Sequence, residues 1–184
     1  LNPINMIQKV HAVALSGGSA FGLESTCGVS RYLEENNIGF DVGVAKVPIV
    51  VGAVLFDLAV GNPNSRPNID MGYRACQVAS DTKLNQGNFG AGCGATVGKI
   101  KGIEYAMKGG IGSHSIKLPN GLVVSALVAV NAFGDVYENG KVIAGVMDDE
   151  KKNVLNSYEL MKNGVNKGGF SIDNTTIGIV ATNA

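Results

Sequence analysis

The chain has 184 residues, 45% hydrophobic and 16% charged, with 26 glycines and no tryptophan. That composition excludes a disordered segment and suits one tightly turned domain with a substantial core. Fifteen basic residues balance fifteen acidic ones, which excludes the basic footprint of nucleic-acid binding and a long-range steering field.

The chain opens at Leu1-Asn2-Pro3 without an initiator methionine, as expected of a piece of a longer polypeptide. His11 to Leu15 reads as a short buried strand, and Ser16 to Ser19 as a tight turn. Apolar residues then recur at helical spacing (Phe21, Leu23, Cys27, Val29, Leu33), predicting a helix from Ala20 to about Glu35. Ser19 fits its N-cap, and Asn36 to Gly39 its stop. Val47 to Leu58 is apolar and β-branched and reads as a strand interrupted by Pro48 and Gly52. The longest apolar region, Val47 to Val60, is too short and too broken to span a bilayer. Gly61 to Asn68 is a loop, and Met71 to Ser80 fits a helix.

Gly87 to Gly98 holds five glycines in twelve residues, and a second glycine cluster follows at Lys108 to Ser113. Leu122 to Val130 is a strongly β-forming run that turns at Asn131 to Asp135. Val136-Tyr137, the hairpin signal Asn139-Gly140 and Val142 to Val146 continue it. Asp148 to Lys167 is polar, with a helix expected over Val154 to Met161, and suits a surface linker ahead of a processing site. A final apolar run, Ile177 to Ala181, follows Asn174-Thr175-Thr176. Near-continuous apolar strands mixed with amphipathic helices predict a layered α/β or α+β fold.

Three cysteines, Cys27, Cys76 and Cys93, form no CxxC and no Cys/His ligand spacing. A disulfide framework and a metal site are both unexpected, and reduced thiols in a cytoplasmic protein are the default. No cofactor is expected. No secretory signal with a basic n-region and a small-residue cleavage site is visible. Gly17-Gly18-Ser19 and Gly90 to Gly94 resemble phosphate loops, but neither has Walker or dinucleotide spacing. Their simpler role is to let backbone or substrate approach where a Cβ would collide. Cys93 as a nucleophile has no obvious histidine partner, and His11 and His114 suit structural or surface roles.

The chemistry concentrates at Asn174-Thr175. If that bond breaks, Thr175 gains a free amine beside its own hydroxyl, with a pKa near ~8. The pair is an activated nucleophile. The alternative is that Thr175-Thr176 only starts a strand. Lys99 is either a surface lysine or a buried group that orients a hydroxyl or steadies an oxyanion. Asn131 is either a turn residue or a side-chain N–H donor to a scissile carbonyl.

Five segments occur in order. They are Leu15 to Leu23 (Leu-Ser-Gly-Gly-Ser-Ala-Phe-Gly-Leu), Gly90 to Lys99 (Gly-Ala-Gly-Cys-Gly-Ala-Thr-Val-Gly-Lys), Lys108 to Ser113, Val130 to Val136 and Asn174 to Ile177. Together they resemble the peptidase family of L-aminopeptidase/D-esterase and β-peptidyl aminopeptidases, nearest its endo-type 6-aminohexanoate-oligomer hydrolase branch. The resemblance implies an N-terminal-nucleophile hydrolase on an αββα-like sandwich shared with ornithine acetyltransferase, of which this chain is a central part. It implies residues 1–174 as part of an α subunit and 175–184 as the start of a β subunit. Thr175 then matches the nucleophile, Asn174 the other side of the cleaved bond, Lys99 the active-site lysine and Asn131 the asparagine near the nucleophile. Phe56, Gly17 and Gly18 are expected to line the substrate pocket.

The chain departs from that family pattern in two places. Phe56 stands where the oligomer hydrolase has a tyrosine, so a polar O–H is lost. The family's later acidic residues, in an Asp-Gly-Asp-like segment, fall beyond Ala184. The expected partners are a small peptide or amide substrate and further copies of the αβ unit, with no nucleic acid and no membrane. Two rival expectations stand beside the hydrolase. One is an acyltransferase of the ornithine acetyltransferase type, and the other is an unprocessed non-catalytic homologue.

Overall fold

The computed structural model describes residues 6–81, 84–165 and 174–184. The first strand, β1 (Ala12–Ser16), runs through a 3-10 turn at Ser19–Leu23 into helix α1 (Glu24–Glu35). Ser19 is not the N-cap that the sequence suggests. Its φ of 54° lies in the left-handed region, its backbone N–H donates to the Leu55 carbonyl at 2.9 Å, and no side-chain cap bond forms. A capping serine needs extended backbone, and the tight return from β1 denies it.

A short hairpin of β2 (Phe40–Asp41) and β3 (Lys46–Val47) precedes β4 (Val50–Val54), which pairs in parallel with β1 from Ala12 opposite Val50 to Ser16 opposite Val54. The single strand expected over Val47 to Leu58 is therefore two shorter pieces. Pro48 has no N–H for a ladder, and beyond Val54 the chain turns inward so that Leu55 is fully buried. Helix α2 (Ile69–Gln77) begins at Asn68, whose side chain accepts from the Met71 N–H at 3.0 Å. It packs on α1 with the Tyr32 and Tyr73 rings edge to face, their centroids 5.4 Å apart.

The glycine-rich segment forms a 3-10 turn at Gly90–Gly92 and then β5 (Thr96–Val97), which pairs with β6 (Met107–Lys108). Strand β7 (Gly110–Lys117) follows, in a stretch whose glycines and polar residues conceal a strand pattern. β8 (Val123–Asn131) pairs antiparallel with β7. β9 (Val136–Glu138) and β10 (Lys141–Ala144) form the expected hairpin, with φ of 49° at Asn139 and 77° at Gly140. Helix α3 (Ser157–Lys162) is shorter than the sequence suggests and starts at an Asn156 cap. Residues 166–167 of the expected linker, and 168–173 after it, lie outside the described residues. β11 (Thr175–Thr182) pairs antiparallel with β8, giving the sheet order β11-β8-β7.

The result is a mixed α/β fold of small sheets and few helices among the described residues. Its central apolar cluster is Leu55, Ala91, Ala95, Ala129 and Ile177. One residue each from the segment after β4 and from β8 and β11, with two from the glycine loop, meet there. Small side chains keep the loop close to the sheet. No helix among the described residues is long and apolar enough to cross a membrane.

Candidate active site

Thr175 opens β11 directly opposite Asn131, the last residue of β8. Residues paired across an antiparallel ladder share a face, and side chains alternate along each strand. Thr175 therefore lies on the face that carries Ile177 and Ile179, and Asn131 on the face of Ala129 and Leu127. Ile177 and Ala129 sit in the core cluster. Thr175 is half-buried at its edge, Asn174 is exposed beside it, and Thr176 points to the other side.

Asn131 is fully buried. Its Oδ1 accepts the Thr96 backbone N–H at 3.0 Å, the Thr96 hydroxyl at 3.3 Å and the Lys99 ammonium at 2.8 Å. The ammonium also donates to the Asn131 backbone carbonyl at 3.2 Å. A backbone N–H and a lysine can only donate, so the amide oxygen must face them. Nδ2 then donates one of its hydrogens to the Phe56 carbonyl at 2.7 Å. Any oxyanion role for Asn131 must use the other N–H.

Lys99 is 5% exposed, so of its two sequence readings the buried one holds. Its chain position is set by the hydrogen bonds Gly98 N–H to the Gly134 carbonyl and Lys99 N–H to the Phe133 carbonyl, both 2.8 Å. Gly98 has φ 74°, and a Cβ there would overlap the backbone of Gly145 and Val146, so only glycine delivers the lysine at this point. An ammonium held by carbonyl oxygens beside a hydroxyl-bearing strand end can orient that hydroxyl or stabilise developing negative charge.

Lys99, Asn131 and Thr175 thus converge. Phe56 joins them through its backbone carbonyl rather than its ring. Gly17 and Gly18 lie against Asp57, whose Oδ1 accepts the Gly18 N–H at 2.6 Å. Two participants escaped the sequence reading. Thr96, buried, braces Asn131, and only its place three residues before Lys99 hinted at it. Asp57 was visible only as a charge interrupting an apolar run.

Cys93 is exposed, and its thiol lies 3.2 Å from the Asn88 carbonyl. The Lys108 ammonium caps the Cys93 carbonyl. His11 accepts the Ile49 N–H on Nδ1 at 3.0 Å and so pins the start of the β1–β4 pair. His114 is exposed on β7. Among the described residues no group of three or more His, Cys, Asp and Glu is placed to hold a metal ion.

The family model of peptidase family S58 matches residues 1–184. An uncharacterised aminopeptidase of Mycobacterium leprae is 41% identical over the whole chain, which spans 52% of that protein. An uncharacterised aminopeptidase of Mycobacterium tuberculosis is 38% identical, again over the whole chain and 53% of its own length. A 6-aminohexanoate-oligomer endohydrolase of a Kocuria strain is 28% identical over 94% of the chain and 49% of its own length. The chain thus spans about half the length of these relatives, and its identity to the mycobacterial aminopeptidases exceeds that to the oligomer hydrolase. It belongs to peptidase family S58.

Proposed function

We propose that the protein of which this chain is part is a self-processing amide hydrolase acting on small peptides or amino-acid oligomers, with Thr175 as its N-terminal nucleophile. The observation that carries this reading is the placement of Thr175 opposite Asn131, whose carboxamide is held by Lys99 at 2.8 Å. A residue that merely starts a strand needs no buried carboxamide held by a buried ammonium at its partner position.

In the first stage the Thr175 hydroxyl attacks the Asn174 carbonyl carbon. The C–N bond breaks, the nitrogen takes up the hydroxyl proton, and an ester joins Asn174 to the Thr175 oxygen. Water then cleaves the ester and leaves an Asn174 carboxylate and a free Thr175 amine. The two products are an α part ending at 174 and a β part beginning at 175. In the second stage the neutral amine takes the hydroxyl proton as the oxygen attacks a substrate amide. The leaving amine is protonated, and water hydrolyses the resulting ester. Asn131 and Lys99 stabilise the oxyanion in both stages, and the loss of one such donor typically costs ~3 kcal/mol of transition-state stabilisation. The αββα-like sandwich and assembly of αβ units into a homo-oligomer belong to the same reading.

The test is N-terminal sequencing and intact mass of the full-length protein after expression. A new fragment beginning Thr-Thr-Ile-Gly, together with amide hydrolysis, is the expected result. A single uncut polypeptide that hydrolyses amides overturns the proposal.

A further inference from the structure

Asp135 closes the turn between β8 and β9, just beyond the Phe133 and Gly134 carbonyls that hold the backbone N–H groups of Lys99 and Gly98. Its half-buried carboxylate reaches in two directions. Toward the end of β10, Oδ1 accepts the Val146 N–H at 3.2 Å. A Cβ on Gly145 would overlap the same oxygen, so the backbone there lies flush against the carboxylate. That backbone, Gly145 and Val146, is also what a Cβ on Gly98 would strike. The turn carrying Lys99 thus sits between two walls, residues 133–134 and residues 145–146. Asp135 ties one wall to the other.

In the other direction Asp135 grips Ser157, the first residue of α3. Oδ2 accepts the Ser157 N–H at 2.6 Å, and Oδ1 accepts the Ser157 hydroxyl at 2.5 Å. Ser157 is 4% exposed. Hydrogen bonds to an ionised acceptor are roughly twice as strong as neutral ones. Helix α3 does not need this carboxylate to begin, because the Asn156 side chain already caps it by accepting the Glu159 N–H at 3.2 Å. The two-point grip instead fixes where the chain departs for Asn174. Among the described residues no ion pair includes Asp135, so its charge is directed to these neutral donors.

We propose that Asp135 is a positioning residue for self-cleavage, holding in one frame the Lys99 turn and the segment that leads from Ser157 to the Asn174–Thr175 bond. This rests on the reading of Thr175 as nucleophile. Attack on the Asn174 carbonyl requires the scissile bond and the oxyanion donor in register, and a small displacement of either costs rate steeply. Once the bond is cut, the Ser157 arm no longer bears on the reacting atoms. The Lys99 arm still does, because the same ammonium serves substrate turnover.

The test follows self-cleavage of the freshly folded full-length protein by mass, then hydrolysis of L-alanine p-nitroanilide per cut chain. Asp135→Ala releases both arms, and both rates are expected to fall by about tenfold or more. Ser157→Ala removes one hydroxyl bond and leaves the Lys99 arm intact. It is expected to slow self-cleavage by about threefold or more and to leave hydrolysis per cut chain at the wild-type rate. Val29→Ala, in the buried face of α1, is the control for lost stability and is expected to process at the wild-type rate. If Val29→Ala slows self-cleavage as much as Ser157→Ala does, the effect is stability alone and the proposal fails. A Ser157→Ala protein that slows both stages alike, or neither, also overturns it. Should Asp135→Ala fail to fold, Ser157→Ala still decides. A wild-type protein that never cuts itself defeats the nucleophile reading. A wild type that cuts, beside a Ser157→Ala protein that cuts equally fast, defeats this proposal alone.

Discussion

The Lys99 ammonium sits 2.8 Å from Asn131 Oδ1 and 3.2 Å from the backbone carbonyl of the same residue, with both side chains out of solvent. The lysine therefore holds the asparagine in one amide orientation. Lys99→Met keeps most of the stem and removes the charge. A hydrogen bond to a charged group contributes about 1.5–3 kcal/mol, so a stability loss of that order is expected in urea titration. The processing rate should fall at least tenfold. Asn131→Asp retains the lysine contact but sets an oxygen against the Phe56 carbonyl in place of Nδ2, and should slow processing as well. Time-resolved gel or mass analysis of the freshly folded full-length protein reads both rates.

Thr175→Ala removes the hydroxyl, so the chain is expected to stay one mass and to hydrolyse nothing. Thr175→Ser keeps the hydroxyl and should retain part of both activities. Its stability cost, the loss of one β-branched methyl on a strand, stays below ~1 kcal/mol. A Thr175→Ala protein that still cleaves amides rules out the nucleophile.

The pH dependence separates the two stages. A free Thr175 amine acts as base only when neutral, so kcat/KM for amide substrates should rise with pH through the titration of an amine near ~8. Self-cleavage precedes that amine, because the nitrogen is still an amide. Its rate should lack this limb. Matching profiles for the two reactions would contradict the assignment.

Leu55 is fully buried in the cluster that unites the glycine loop with β8 and β11. Leu55→Ala should destabilise the fold by about 2–5 kcal/mol, and Ile177→Val by about 0.5–1.5 kcal/mol. Because Leu55 immediately precedes Phe56 and Asp57, its truncation should also slow processing. Chemical denaturation beside a processing assay measures both effects.

The α1–α2 contact carries a pH-sensitive group. The Tyr73 hydroxyl donates to Glu35, the Arg31 Nε reaches the same carboxylate at 3.0 Å, and together they hold its pKa below the ordinary carboxylate value, with the tyrosine bond the larger cause. A lowered folded-state pKa gives a stabilising contribution that is present above the unfolded value and lost as pH falls through the folded one. The site is exposed, so the effect is small and salt-sensitive. Tyr73→Phe should raise the Glu35 pKa, read by NMR titration of its side chain.

Strongly patterned elements were legible in the sequence. The β-branched run of β8, the Asn139-Gly140 hairpin and the helical spacing of α1 each carry their own local signal. β7 was not legible, because Gly110, Gly112, Ser113 and Ser115 have little strand preference and the strand exists only through its pairing with β8. Ser19 misled for the opposite reason. A serine ahead of an apolar helix looks like a cap, but the distant Leu55 carbonyl takes its backbone N–H and a tight turn sets its φ.

The same division runs through the candidate site. Asn174-Thr175, Lys99 and Asn131 stand out in the sequence because of what their side chains can do and the ordered motifs around them. Their meeting belongs to the tertiary structure, since a β8–β11 register lines up residues 44 positions apart and a positive-φ glycine aims the lysine at them. Thr96 and Asp57 became visible only there. A hydroxyl or a carboxylate is common in any chain, and its role depends on which neighbours surround it and how much water they exclude.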